Sequence, residues 1–123
     1  MKLRWSSFRC AFSGVLFLLK TQNHARWHAL ISGLVIIFAG WLQVSKMEWL
    51  ILLGMMALVW VTETLNTAIE QTCDAITLEM NPMIGRAKDL AAGAVLIAAL
   101  SACVIGALIL APRLWLFLFG QPR

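Results

Sequence analysis

The sequence predicts an all-α membrane protein with three transmembrane helices and an amphipathic surface helix at its N-terminal end. Of its 123 residues, 61% are hydrophobic and only 13% are charged, a composition too apolar for a small soluble domain. The hydrophobic residues recur in separate runs, and polar or turn-forming residues close each run. We therefore expect a single membrane domain over residues 1–123.

The first segment, residues 5–20, has the pattern of a helix that lies in the membrane surface. Its apolar side chains share about 100° of a helical wheel, and a polar stripe that includes Arg9 and Lys20 flanks them. Because these two basic residues interrupt the apolar run, we do not expect a cleaved signal peptide.

Three apolar stretches follow, and we predict spans at about residues 28–45, 47–72 and 86–112. Trp27 and Trp41 lie near the ends of the first stretch, where tryptophan suits the membrane interface. The third span begins with many alanines, which let neighbouring helices approach closely in lipid. Three thin helices can hardly enclose a charged site alone, so we expect a homo-oligomer.

The basic residues predict the orientation and the partners of the chain. With three spans, most lysines and arginines fall on the side of the N-terminus, which places that terminus in the cytoplasm and the protein in the cytoplasmic (inner) membrane. The net charge is +4, but the basic residues are spread among membrane-like segments. Membrane phospholipid headgroups and nucleotide phosphates are therefore expected partners, and nucleic acid is not.

Residues 63–74, with the sequence ETLNTAIEQTCD, carry the chemical candidates at the end of the second span. At about 100° per helical residue, four polar side chains fall within an arc of about 80°. They are Glu63, Asn66, Glu70 and Asp74. A carboxylate deep in lipid costs about 2.5 to 3.5 kcal/mol, so Glu63 should face protein or a wet cavity. The pattern indicates a functional site, and the alternative is a solvated helix end.

Across a short turn from this stripe, Arg86, Lys88 and Asp89 offer the other half of a nucleotide site. Carboxylate oxygens bind Mg²⁺, and lysine binds phosphate. Glu63 lies nearest the lipid and suits a base on an attacking hydroxyl. The sequence contains no GxxxxGK[ST] phosphate loop. Two other functions stay open: a small proton-coupled transporter with Glu63 and Glu70 as a proton relay, and a scaffold without chemistry.

The same residues resemble a known family. ETLNTAIEQTCD, followed by GRAKDLAAGAVL at residues 85–96, is similar to the paired signature of the small prokaryotic lipid kinases, diacylglycerol kinase and undecaprenol kinase. The likeness extends from the FRCAFSG stretch through the third span. It implies phosphorylation of a lipid alcohol, diacylglycerol or undecaprenol, at the cytoplasmic membrane surface, with ATP as donor and Mg²⁺ as cofactor. It also implies a homotrimer. The apolar spans do not distinguish the two acceptors.

The resemblance also implies roles for individual residues. Glu63 is the expected catalytic base, which contacts the substrate hydroxyl, and Asn66 positions the reacting groups. Glu70 is an expected Mg²⁺ ligand and borders the nucleotide. The further expected nucleotide contacts are Asp74, Glu79, Asn81, Lys88 and Asp89.

Two features of residues 21–28, TQNHARWH, complete the prediction. Some members of the family place a glutamate that shares the metal where this chain has Gln22, so we expect Gln22 to be a neutral metal ligand at best. His24 and His28 are spaced i, i+4, but the sequence offers no third ligand nearby. We therefore expect them to be polar groups of the interface.

Overall fold

The computed structural model describes the backbone of residues 2–120 and the side chains of residues 7–120. This part of the chain forms four helices and no strand. They are α1 (Lys2–Thr21), α2 (Asn23–Trp41), α3 (Lys46–Ile76) and α4 (Pro82–Phe119). The all-α fold class is confirmed.

Helix α1 contains the predicted surface helix, whose side chains at positions 5 and 6 lie outside the described part. From residue 7 to residue 17 every side chain is exposed, and Leu18 is the first buried one. Gln22 alone separates α1 from α2 and adopts an extended conformation. The Arg26 guanidinium donates hydrogen bonds to the carbonyl oxygens of Leu19 and Lys20, at 2.9 and 2.5 Å. These bonds satisfy carbonyls that the end of a helix leaves unpaired, and they hold the corner between the two helices.

Helix α2 ends at Trp41, four residues before the predicted end of the first span. The connection to α3 needs a turn, and Gln43 has a φ of 49°, in the left-handed region. Helix α3 begins at Lys46, directly after this turn. The Ser45 hydroxyl and the Glu48 carboxylate form a capping box there.

Arg113 of α4 holds this connection from the other side. Its guanidinium donates to both carboxylate oxygens of Glu48, at 3.1 and 2.6 Å, and to the carbonyl oxygen of Gln43, at 3.1 Å. A bidentate arginine–carboxylate pair is geometrically specific. It therefore fixes the α2–α3 connection to the far part of α4.

The main packing in the described chain is between α3 and α4. Ala91 and Ala98 are the buried residues of α4, and small side chains at these positions let the two helices approach closely. The Asn81 side chain caps the start of α4, with Pro82 in the first turn. The predicted third span ends at 112, but α4 continues through Pro112 to Phe119. Proline is tolerated in membrane helices, where neighbouring groups compensate for the lost hydrogen bond.

Two of the described helices, α3 and α4, are long and apolar enough to cross a membrane by length and composition. Helix α2, which holds most of the predicted span 28–45, is not one of them. It starts with polar residues, and the crossing of the membrane by three helices stays a prediction. Large apolar side chains are exposed on all four helices, and Ile37, Leu90 and Leu108 are each more than two thirds exposed.

Candidate active site

A polar cavity of about 320 Å³ lies between the start of α2, the middle of α3 and the first half of α4. Its polar lining consists of Gln22, His24, His28, Glu63, Asn66 and Glu70, and α4 supplies an apolar wall of Ala92, Val95, Leu96 and Ala99. The cavity thus brings together the candidate base, the candidate amide and both candidate metal ligands. The lining residues are up to 77 positions apart in the sequence, and they meet there because α2 and α4 both pack against α3.

Glu63 is the most deeply buried polar residue in the described chain, with only 4% of its surface exposed. It lies on the face of α3 that also buries Val59 and Thr67. Its Oε2 is 3.9 Å from Nε2 of His28, which is too long for a hydrogen bond but within ion-pair range. The expectation that this carboxylate faces protein and a cavity is confirmed.

Asn66 and Glu70 lie one helical turn apart on the cavity wall. The Asn66 amide Nδ2 donates a hydrogen bond to Glu70 Oε1, at 3.2 Å. In contrast, Asn66 Oδ1 is buried and has no hydrogen-bond partner within the described chain. An unpaired buried acceptor costs about 1 to 3 kcal/mol. This oxygen is therefore an available ligand for a cation or a donor group that enters the cavity.

Asp74 and Lys88 form an ion pair one turn beyond Glu70. Lys88 Nζ lies 2.5 Å from Asp74 Oδ1 and connects the end of α3 to the start of α4. The Lys88 side chain is 35% exposed and the Asp74 side chain is 46% exposed, so solvent reaches the pair. Of the residues predicted to face the stripe, Lys88 pairs with it through Asp74, and Arg86 and Asp89 form no ion pair with it in the described chain.

Five of the six predicted nucleotide contacts lie outside the cavity lining, and Glu70 alone of them lines it. Two of the five are Asp74 and Lys88, the ion pair described above. Glu79 is exposed in the α3–α4 connection, where its backbone N–H donates to the Thr77 hydroxyl. The side-chain oxygen of Asn81 accepts hydrogen bonds from the first turn of α4 and acts as a helix cap. Asp89 is exposed and forms no ion pair or hydrogen bond in the part of the chain that is described.

The placement of His24 and His28 differs from what the sequence indicated. We expected His24 and His28 to be interfacial polar groups, but both line the cavity. Helix α2 begins at Asn23, so a spacing of four residues puts both on one face, toward α3. The i, i+4 spacing directly after Gln22 was the signal that could have located them.

Within the described chain, no group of three or more histidine, cysteine, aspartate or glutamate side chains is close enough to hold a metal ion. The cavity offers a different set of donors: the Glu70 carboxylate and the neutral oxygens of Gln22 and Asn66. Oxygen donors are those that Mg²⁺ prefers, and Mg²⁺ is commonly held by one or two carboxylates together with water and substrate phosphates. These oxygens therefore suit Mg²⁺, and the imidazoles of His24 and His28 line the same cavity.

Comparison with known proteins identifies similar chains. The sequence profile of the family "Prokaryotic diacylglycerol kinase" matches residues 9–110. The undecaprenol kinase of Bacillus subtilis (strain 168) is 37% identical over 110 residues, which cover 89% of each chain. The diacylglycerol kinase of Synechocystis sp. is 37% identical over 109 residues, 88% of this chain and 62% of that one. The diacylglycerol kinase of Escherichia coli (strain K12) is 38% identical over 77 residues, 63% of each chain. The matched region thus covers less than two thirds of these two diacylglycerol kinases.

Proposed function

The chain belongs to the prokaryotic diacylglycerol kinase family of membrane lipid kinases, and we propose that it transfers the γ-phosphoryl group of ATP to the hydroxyl group of a membrane lipid at the cytoplasmic surface. The observation that supports this most is the cavity in which Glu63, Asn66 and Glu70 share one wall, with Lys88 a turn beyond. A proton-coupled transporter is not favoured, since the relatives named above are kinases.

For the acceptor, we propose a lipid alcohol of the diacylglycerol or undecaprenol class and place undecaprenol first. The relative that is matched over 89% of both chains is named an undecaprenol kinase. The two diacylglycerol kinases are matched over a smaller share of their length. The share of each relative that is matched therefore favours the polyprenol as acceptor, whereas the sequence identity to the three relatives is nearly equal.

In the proposed reaction, Glu63 is the general base. Its carboxylate takes the proton of the lipid hydroxyl, and the hydroxyl oxygen forms a bond to the γ-phosphorus. The bond from that phosphorus to the β–γ bridging oxygen breaks at the same time, and ADP leaves with the electron pair of that bond. Burial of Glu63 keeps water away from this step and leaves the lipid hydroxyl as the acceptor. Asn66 holds the Glu70 carboxylate in place through its amide N–H.

Glu70 would hold Mg²⁺, with Gln22 as a neutral ligand and Asn66 Oδ1 as a further oxygen. The proposal that Mg²⁺ binds here rests on the buried, unpaired Asn66 oxygen and on the side-chain oxygens of Gln22 and Glu70 in the same cavity lining. When bound, Mg²⁺ would neutralise charge on the phosphates. A single carboxylate makes the site weak by itself, so we propose that the phosphates and water complete it.

The nucleotide would extend from the cavity toward the α3–α4 connection. Lys88 would meet the phosphates as a point charge, beside Asp74. We propose that the nucleoside end then passes toward Glu79, Asn81 and Asp89, which border this connection outside the cavity. A cavity of about 320 Å³ lies at the small end of the usual range for ligand sites, roughly 300–1,000 Å³, which is consistent with a nucleotide that is only partly enclosed.

We propose a homotrimer in the cytoplasmic membrane with the N-terminus in the cytoplasm. Helix α2 has 19 residues and is therefore about 28 Å long, close to the hydrocarbon thickness of about 30 Å, so it can cross the membrane beside α3 and α4. The exposed apolar faces of α2, α3 and α4 supply surface for lipid and for neighbouring subunits. The number three rests on the resemblance to the family.

The test is a transfer assay with the purified protein in mixed micelles. ATP labelled in the γ position, Mg²⁺ and either undecaprenol or a diacylglycerol are supplied in parallel. We expect label in a lipid monophosphate that depends on both the lipid and Mg²⁺. The absence of transfer to both lipids would reject the proposed function.

A further inference from the structure

His28 is the polar neighbour of Glu63 across the α2–α3 contact. Its Nε2 lies 3.9 Å from Glu63 Oε2, and its side chain is 20% exposed against 6% for that of Glu63. In the described chain this is the only polar contact of the Glu63 carboxylate. The apolar wall on α4 offers no competing group.

The other titratable or polar groups of the cavity belong to different parts of the site. On the α2 side they are Gln22 and His24, and on α3 they are Asn66 and Glu70. Glu70 is already engaged by Asn66 through the 3.2 Å hydrogen bond. Glu63 and His28 therefore form a separate pair next to the Glu70 and Asn66 pair.

We propose that His28 is a positioning residue for Glu63, an inference that rests on the proposed lipid kinase function. In this arrangement the imidazole Nε2–H donates to Oε2, and the other carboxylate oxygen is left to take the proton of the lipid hydroxyl. Catalytic hydrogen bonds are often long in ligand-free enzymes and shorten in the reactive complex, so 3.9 Å is compatible with this role. A base that is itself oriented by a further group is a recurrent arrangement in enzymes.

A purely structural role for His28 can be separated from this one, because a second polar contact joins the same two helices. One turn further along α2, the Ser32 hydroxyl accepts a hydrogen bond from Trp60 Nε1 of α3, at 3.3 Å. If the α2–α3 contact as such mattered for turnover, loss of this bond would affect it as well. Ser32→Ala is therefore the matched control.

The experiment compares three variants in the lipid-dependent assay. His28→Leu should lower kcat about ten- to a hundredfold, the effect expected when a hydrogen bond to a charged group is lost. KM for ATP and for the lipid should stay close to wild type, because His28 acts on the base and not on binding. His28→Gln, whose amide N–H reaches the position of Nε2, should keep most of kcat, and Ser32→Ala should keep all of it.

A double-mutant cycle gives a second, independent readout. In a Glu63→Asp background the carboxylate is withdrawn by one methylene, so His28→Leu should cause a much smaller further loss than in the wild type. Size-exclusion chromatography and circular dichroism report whether each variant is folded. If His28→Leu does not fold, His28→Asn replaces it, since the shorter amide does not reach Glu63 and should lose kcat where His28→Gln keeps it.

Several results would overturn the inference. These are an unchanged kcat in His28→Leu, an equal loss in His28→Gln, an equal loss in Ser32→Ala, or a loss confined to KM. A full additive effect in the Glu63→Asp background would overturn it too. In all these cases the wild type still phosphorylates lipid, so the proposed function stands; a wild type without lipid-dependent transfer would instead reject the proposed function and this inference with it.

Discussion

Glu63→Gln should abolish phosphoryl transfer and leave the fold intact or more stable. The amide has the shape of the carboxylate but accepts no proton at neutral pH. A positioned general base contributes about 10²- to 10⁴-fold, which corresponds to about 2.7–5.4 kcal/mol of the activation barrier. Glu63 is 96% buried and has one polar neighbour at 3.9 Å, so little native interaction is lost with its charge. A charged group in lipid costs up to about 2.5–3.5 kcal/mol, and the neutral amide avoids part of this cost.

The assay measures kcat, nucleotide affinity and the thermal midpoint of the same Glu63→Gln preparation. We expect a kcat at least a hundredfold below wild type, unchanged binding of a non-hydrolysable ATP analogue, and an equal or higher midpoint. Glu63→Asp is the control, because it keeps a carboxylate and should retain some turnover. Transfer near the wild-type rate in the glutamine variant would refute the role of Glu63 as base. A sharp drop in midpoint would show that the carboxylate is a structural group.

The remaining predictions concern the metal and the nucleotide. Glu70→Ala should raise the Mg²⁺ and ATP concentrations needed for half-maximal rate, because it removes the only carboxylate of the donor set, and a Mg²⁺ titration checks this. Gln22→Glu should lower the Mg²⁺ requirement, and an unchanged titration curve would place residue 22 away from the metal. Lys88→Ala should raise KM for ATP about tenfold or more, as a charge-assisted contact to phosphate is lost, with less effect on KM for the lipid. Asp74→Asn tests whether its ion pair orients Lys88, and an unaltered KM for ATP would contradict that role.

The polar stripe on α3 was predictable because it depends on helical geometry alone. Glu63, Asn66 and Glu70 recur at spacings of three and four, and any helix over these residues puts them on one face. The apolar residues before Glu63 also indicated that the C-terminal end of this helix is the one that reaches the aqueous interface. The Asp74–Lys88 pair was expected in outline, since a short connection between two long helices brings the end of one close to the start of the next.

Interactions between distant helices were not predictable in the same way. The i, i+4 spacing places His24 and His28 on one face of α2, but the partner of that face depends on the rotation of α2 about its axis, which the sequence does not specify. The bounds of α2 and α4 depended on tertiary contacts as well. Arg113 binds Glu48 and Gln43, and this links the part of α4 beyond Pro112 to the α2–α3 connection. The role of Asn81 as a helix cap was hidden because asparagine before proline is equally typical of a turn.

The exposure of the polar stripe increases along α3, and the length of that helix indicates where each residue would lie relative to the membrane. With 31 residues α3 is about 46 Å long, whereas the hydrocarbon core is about 30 Å thick, so its last turns must extend into the aqueous interface if Lys46 lies near the opposite boundary. Glu63 lies about 26 Å from Lys46 along the axis, and Asp74 about 42 Å. Packing against α2 and α4 buries Glu63, whereas Glu70 is half-buried and Asp74 is exposed. Under the proposed function, this polar stripe would place Glu63 near the depth of a lipid hydroxyl and the Asp74–Lys88 pair at the depth of a water-soluble nucleotide.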